Sequence, residues 1–276
     1  MSIGVLLVAL CVTGVRFHQE MPMVEDGPEI VAHRGASADC PENTIVAFQE
    51  AWRQGADAIE GDFRLTSDGQ IVCLHDKTLK RTTGDTRSIN EVTLAQVRKL
   101  DAGSWKGSGF KGEQVPTIEE VFKIIPPSKR VFVELKAGPE IVMPLLGAID
   151  RSDLEPEQIV VIAFDADVIR TLKNKRPGIR AYWLSSLKRK GSGFEPSADA
   201  LITTARAVQA DGLGLKAVGE AVTRDFVAKA HQAGLEVNVW TVDEPNAAQQ
   251  FQAAGVSSIT TNRPAFLRSS IGPEAP

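Results

Sequence analysis

A chain of 276 residues, 43% hydrophobic and 24% charged, is long enough for one large domain with its own core and ordinary for a soluble globular protein. Its net charge of −4 excludes a basic field for nucleic acid or an anionic membrane surface, so any anion it binds must be held by local positive charge. With Tyr182 as its single tyrosine, the composition argues against a base-stacking or paratope-like surface.

The N-terminus reads differently from the rest. Residues 3–15 (IGVLLVALCVTGV) are almost all apolar and are followed by Arg16 and polar residues. The run is too short to span a bilayer and matches the core of an export signal, although it lacks a positive leading segment and a clean small-residue cleavage site. Cys11 only loosely resembles a lipoprotein box. The expectation is an exported protein, periplasmic or extracellular, or one held at the membrane by this segment. Residues 1–28 form the signal-like segment and linker, and the mature form has no stable membrane span. The three cysteines, Cys11, Cys40 and Cys73, have no metal-ligand spacing, and Cys73 reads as a small apolar side chain in a strand.

Beyond the linker, apolar strand-like runs alternate with amphipathic stretches. Strands are expected at 29–33, 58–63, 130–136, 158–164, 180–184, 210–215, 236–242 and 257–261. Helices are expected at 44–54, 117–125, 140–150, 165–175, 220–233 and 246–253, with Gly55, Gly234 and Gly255 where a helix C′ residue belongs. Eight strands with helices between most of them predict an α/β fold, a (β/α)8 TIM barrel, over residues 29–276. A doubly wound sheet fits less well, since no glycine-rich dinucleotide fingerprint follows the first strand. Residues 71–76 break the alternation. The turn Ser67-Asp68-Gly69-Gln70 demands an antiparallel hairpin, which returns His75 toward the level of Asp62 without taking a barrel position. Residues 77–116 are polar and broken and read as a small inserted cap beside the barrel mouth, with 90–100 helical inside it.

The chemistry-bearing residues close apolar runs: His33-Arg34-Gly35, Glu60-Gly61-Asp62, His75-Asp76 and Glu134-Leu135-Lys136. Side chains alternate along a strand, so Glu60 and Asp62 share one face, as do Glu134 and Lys136. Carboxylates buried against the outer helices would be costly, which turns them inward at the C-terminal mouth, where barrel active sites lie. Three carboxylates from two adjacent strands would repel unless a cation lies among them, and oxygen ligands favour Mg²⁺ or Ca²⁺ over zinc. His33 and His75 suit a base and an acid, and Arg34 and Lys136 supply fixed positive charge for phosphate oxygens. Taken singly, each residue has a plainer role. His33 could be a hydrogen-bonded core histidine, Glu60 or Asp62 half of a buried ion pair, and Lys136 a neutralising partner for Glu134. Their convergence favours in-line displacement at phosphorus. His18, in the leader, and His231, near a helix end, carry no such signal. Trp240 reads as an apolar wall of the pocket rather than core packing.

Taken as an ordered set, these motifs resemble the glycerophosphodiester phosphodiesterase family over roughly residues 29–268. The set also includes Pro41-Glu42-Asn43-Thr44, Thr66-x-Asp68-Gly69, Leu100-Asp101-Ala102-Gly103-Ser104-Trp105, Val115-Pro116-Thr117 and Val239-Trp240-Thr241-Val242. The resemblance implies hydrolysis of a soluble glycerophosphodiester to sn-glycerol 3-phosphate and an alcohol. It implies His33 and His75 as the acid/base pair, and Glu60, Asp62 and Glu134 as ligands of a divalent cation. Arg34 and Lys136 are implied as phosphate contacts, and Glu42 as a further metal ligand or a neighbour of the ligands. The main departure is Asn262, where many members carry Asp; it reads as peripheral to the chemistry.

Two other readings compete. A lipid phosphodiesterase of the phospholipase D-like or phosphoinositide phospholipase C-like kind would use a similar histidine pair. Such an enzyme wants an apolar rim, and this cap offers few apolar residues beyond Trp105 and Phe110. A non-catalytic exported phosphodiester-binding protein is the other, and the intact histidines and carboxylates argue against it.

Overall fold

The computed structural model describes residues 27–271. The apolar segment 3–15, with Cys11 and His18, lies outside the described residues. Among the described residues, no helix is long and apolar enough to cross a membrane.

Eleven strands follow in chain order: β1 (Glu29–His33), β2 (Ala58–Leu65), β3 (Ile71–Cys73), β4 (Arg130–Leu135), β5 (Ile159–Ala163), β6 (Arg180–Ser185), β7 (Lys188–Lys190), β8 (Gly193–Glu195), β9 (Gly212–Lys216), β10 (Glu236–Trp240) and β11 (Ser258–Thr261). Eight of them, β1, β2, β4, β5, β6, β9, β10 and β11, pair in parallel in that order, and β11 closes the cylinder against β1. The (β/α)8 barrel expected from the sequence is therefore present. Its strands are apolar on both faces because helices cover the outside and side chains fill the inside. In β5, every residue of Ile-Val-Val-Ile-Ala is buried.

Alternation sorts the faces. Val31, Ala58, Phe132, Val160, Ile162, Tyr182 and Leu184 form the cluster inside the barrel, while Ile30, Ala32, Ile59, Val131 and Val133 pack outward into the helix-covered core. His33 lies two residues past Val31, Glu60 and Asp62 two and four past Ala58, and Glu134 two past Phe132. The period of two therefore carries all four to the inner face at the strand exits. At the opposite end, charges are matched: Glu29 pairs with Arg130, and Glu236 pairs with Arg180 and accepts from the Tyr182 hydroxyl.

β2 overruns the barrel and folds back. Phe63, Arg64 and Leu65 pair antiparallel with Cys73, Val72 and Ile71, and the Leu74 amide donates to the Asp62 carbonyl at 2.7 Å. The turn is tied by the Thr66 hydroxyl, which donates to Asp68 at 2.6 Å. His75 thus arrives beside Asp62 as the hairpin requires, although the strand ends at Cys73. The cap holds a small core of its own: Val72, Leu74, Leu79, Ile89, Val92, Val97, Ala102 and Val115. The helix expected at 90–100 is reduced to a 3-10 turn, Ile89–Glu91, and a single turn, Leu94–Val97. The break comes at Val92 and Thr93, which are extended, and Thr93 and Gln96 form a fresh capping box. Lys106 ties the cap to the β1 exit by donating to the Ser37 and Ala38 carbonyls, both at 2.8 Å.

Several elements escaped the sequence reading, the longest of them the helix Ala198–Ala207. The helix Ala198–Ala207 buries only Leu201, Ile202 and Ala205, an apolar stripe too narrow to stand out, although Ser197 caps it by accepting from the Ala200 amide. The β7–β8 hairpin is exposed at most positions and has no apolar signature. Elsewhere, limits shift for local reasons. The helix Arg224–Gln232 starts late because Thr223 is its cap. Cys40 and Cys73 are both free and buried.

Candidate active site at the barrel mouth

Register assembles the acidic centre. Asp62 on β2 stands directly beside Glu134 on β4, and Glu60 stands beside His33 of β1. All three carboxylates are buried, and one oxygen from each lies within 4.8 Å of the others. Glu60 Oε2 accepts from the Arg34 amide at 2.9 Å, while its Oε1 is buried with no donor. Asp62 Oδ2 accepts from Asn43 Nδ2 at 2.8 Å and lies 3.1 Å from Arg34 Nε. The remaining oxygens, Asp62 Oδ1 and Glu134 Oε1, face the Lys136 ammonium at 3.1 and 2.5 Å.

The cluster is electrostatically unbalanced. Burial first, then repulsion from Asp62 and Glu134, pushes the Glu60 carboxyl well above its ordinary range. Burial and the Asp62 charge push Glu134 up to about 7. Burial opposes ionisation of Asp62 too, but Lys136 and Arg34 outweigh it and hold that carboxyl well below the usual range. A donor-less buried oxygen beside two more carboxylates, with oxygen the only ligand atom on offer, fits a hard divalent cation.

The two histidines are held differently. His33 Nδ1 lies 2.8 Å from Asn262 Oδ1, and His75 Nδ1 lies 2.7 Å from Asp76 Oδ1. Burial, reinforced by the adjacent Arg34 charge, lowers the His33 pKa to about 4, so its ring is neutral at physiological pH. Asn262, read from the sequence as peripheral, is in direct contact with His33; the exit of β11 closes on the exit of β1, which the linear sequence does not display.

Gly35 makes the first strand's exit possible. It sits at φ +82°, and a Cβ there would lie 2.5 Å from the Ala47 backbone, so the turn needs glycine both for its dihedral and for the approach of the helix Ile45–Arg53. Glu42 does not join the carboxylate cluster. Its oxygens bridge two guanidiniums, Arg34 at 2.9 Å and Arg81 at 2.7 and 2.8 Å, and these hold its carboxyl below the ordinary range against the effect of burial. Trp240 is half-buried, packs edge-to-face on Phe164 at 5.5 Å and rests on the cluster inside the barrel, with Lys136 Nζ 5.9 Å over the Phe164 ring.

Several contributors were missed. Arg81, from the cap, also grips Asp76 at 2.8 and 3.1 Å and so braces the support of His75. Arg64 donates to the His75 carbonyl at 2.9 and 2.7 Å and to the Lys136 carbonyl at 2.8 Å, clamping two site residues by their backbones. It continues the Glu60, Asp62 alternation on the part of β2 that overruns the barrel. Asn43 accepts from the Asp62 amide at 3.1 Å and from the Cys73 thiol at 3.1 Å while donating to the Asp62 carboxylate.

Comparison with known proteins agrees with this geometry. The profile of the glycerophosphoryl diester phosphodiesterase family matches residues 33–266, nearly all of the described chain. The chain belongs to this family. A glycerophosphodiester phosphodiesterase of Caldanaerobacter subterraneus subsp. tengcongensis is 34% identical over 243 residues, covering 86% of this chain and 95% of its own. Among solved structures, an Oleispira antarctica phosphodiesterase in complex with the product sn-glycerol 3-phosphate superposes with a TM-score of 0.78 at 25% identity, covering 88% of this chain and 96% of that one. The glycerophosphodiester phosphodiesterase of Agrobacterium tumefaciens gives 0.72 at 26% identity, over 88% and 99%.

Proposed function

We propose that the protein hydrolyses glycerophosphodiesters to sn-glycerol 3-phosphate and an alcohol, with His33 and His75 carrying protons and Glu60, Asp62 and Glu134 holding a divalent cation. The observation that carries this reading is the convergence of two histidines and three carboxylates on one mouth, in a chain of a family whose relatives bear that activity in their names. Mg²⁺ or Ca²⁺ bound by the three carboxylates would neutralise charge on the phosphoryl group and polarise its oxygens. Arg34 and Lys136 stand beside those carboxylates and are the side chains placed to grip the remaining phosphate oxygens. One imidazole takes the proton of the attacking oxygen, and the other gives a proton to the departing alkoxide. Trp240 and Phe164 shield one side of the substrate from water. The polar cap suits a soluble diester.

The test is a panel of glycerophosphodiesters bearing choline, ethanolamine, glycerol and inositol, crossed with Mg²⁺, Ca²⁺ and Mn²⁺, with release of sn-glycerol 3-phosphate as the readout and phospholipid vesicles as the contrast. Release from at least one soluble diester, silenced by EDTA, is expected. No release from any of them, or greater turnover of vesicles, overturns the reading. We propose export as well, on the apolar segment 3–15. Intact mass and N-terminal sequencing of protein recovered outside the cytoplasm should show loss of that segment or retention at the membrane, and accumulation of the full-length chain in the cytoplasm would count against export.

A further inference from the structure

Asn262 sits between a carboxylate and an imidazole, and its amide can face them in only one way. Asp243 accepts from the Asn262 backbone amide at 2.8 Å, from the Thr261 hydroxyl at 2.9 Å and from Asn262 Nδ2 at 2.6 Å. The Thr261 hydroxyl already accepts from the Arg263 amide at 3.1 Å, which leaves its own hydrogen for Asp243. A carboxylate only accepts, so turning the Asn262 amide over would set oxygen against oxygen at 2.6 Å. The amide nitrogen is therefore pinned toward Asp243, and Oδ1 is turned to His33 Nδ1 and the Ser37 hydroxyl, each at 2.8 Å. An amide oxygen also only accepts. The hydrogen between Asn262 and His33 must then belong to the imidazole.

We propose that Asp243 and Asn262 are positioning residues that fix His33 in its Nδ1–H tautomer, so that Nε2, which has no hydrogen-bond partner among the described residues, meets the substrate as a lone pair. His33 is then the histidine that accepts the first proton. His75 differs in its partner: its Nδ1–H donates to the Asp76 carboxylate at 2.7 Å, an anion that compensates the charge of a ring carrying a second hydrogen on Nε2, the hydrogen a departing alkoxide needs. The asymmetry of the two partners, a neutral amide for one ring and an acid for the other, assigns the two roles. The kinetic part of this inference rests on the phosphodiesterase reading; the tautomer does not.

The test has two arms. In the full chain labelled with ¹⁵N-histidine, two-bond ¹H–¹⁵N spectra, with the His33 signals assigned by their loss in His33→Gln, should show protonated Nδ1 and bare Nε2 near neutral pH. In the kinetic arm, Asn262→Leu keeps the volume and removes the acceptor, and should lower kcat by about 10- to 100-fold with KM little changed. Asn262→Asp alone sets two carboxylates against each other, whereas Asp243→Asn combined with Asn262→Asp exchanges donor and acceptor and again presents an oxygen to His33. The exchanged pair should restore the Nδ1–H signature, while its kcat stays below that of the wild type because His33 then rests on an acid instead of a neutral amide. A wild-type ring protonated at Nε2, or full kcat in Asn262→Leu, overturns the proposal. If Asn262→Leu does not fold, the wild-type spectrum and the exchanged pair decide. If the wild type turns over no glycerophosphodiester, the activity reading fails, and the spectra alone still confirm or refute the tautomer.

Discussion

His33→Ala and His75→Ala are each expected to lower kcat by about 10²- to 10⁴-fold while leaving the fold intact, because each removes a proton carrier and little else. At His33, the groups left behind keep partners. Asn262 Oδ1 still accepts from Ser37, and the Asn262 amide nitrogen still donates to Asp243. At His75, the Asp76 carboxylate keeps Arg81, and Arg64 continues to bind the backbone carbonyl of residue 75. No buried charge is orphaned in either variant, so the melting temperature should move by only a few degrees. The double variant should be little worse than the worse single one, since the two rings serve one proton inventory. Steady-state kinetics with thermal melts of all three proteins check this, and a single variant that keeps a tenth or more of wild-type kcat would remove that histidine from the chemistry.

The barrel and most of the site could be read from the sequence for one physical reason. A parallel strand buried on both faces is a short apolar run, and polar residues that interrupt it near its end must face the mouth. His33, Glu60, Asp62 and Glu134 obey that rule, and Asp68-Gly69 announces the hairpin that delivers His75. What was illegible arises where placement depends on tertiary closure. Asn262 and Asp243 follow strands at the far end of the chain, and Asn262 meets His33, with Asp243 behind it, only because β11 closes on β1. Arg81 lies on a single helical turn of the cap, Lys80–Thr83, where no periodicity could mark it, and it pairs with Glu42. Lys136 pairs with Glu134 and Asp62, the plainer of the two readings offered for it.

Cation binding at the mouth is expected to tighten as pH rises and to expel protons. With the Glu60 carboxyl pushed well above its ordinary range and Glu134 pushed up to about 7, the metal-free site takes up protons near neutral pH that a divalent cation must displace. Affinity for Mg²⁺ or Ca²⁺ should therefore weaken by at least about tenfold between pH 8 and pH 6. Calorimetric titrations in buffers of different ionisation enthalpy measure the protons directly. Stability should follow the same linkage. The Glu134 carboxyl is raised in the folded protein from 4.5 to about 7, so the metal-free fold holds this proton more tightly than the unfolded chain does. Its contribution favours folding least above pH 7, fades in as pH falls toward 4.5, and is reversed by a cation that prefers the ionised form. His33 has the opposite sign, since its lowered pKa adds stability as pH rises from about 4 to 6.5. The gain in melting temperature from Mg²⁺ over EDTA isolates the carboxylates from this, and it should be larger at pH 8 than at pH 6. Glu60→Gln supplies the matching variant. It keeps an acceptor for the Arg34 amide but removes the charge behind the donor-less oxygen, so it should fold normally, bind the cation at least about tenfold more weakly and lose activity in proportion at limiting metal. An affinity that is flat from pH 6 to 8 with no proton release, or a Glu60→Gln protein that binds metal like the wild type, would take the cation away from these three carboxylates.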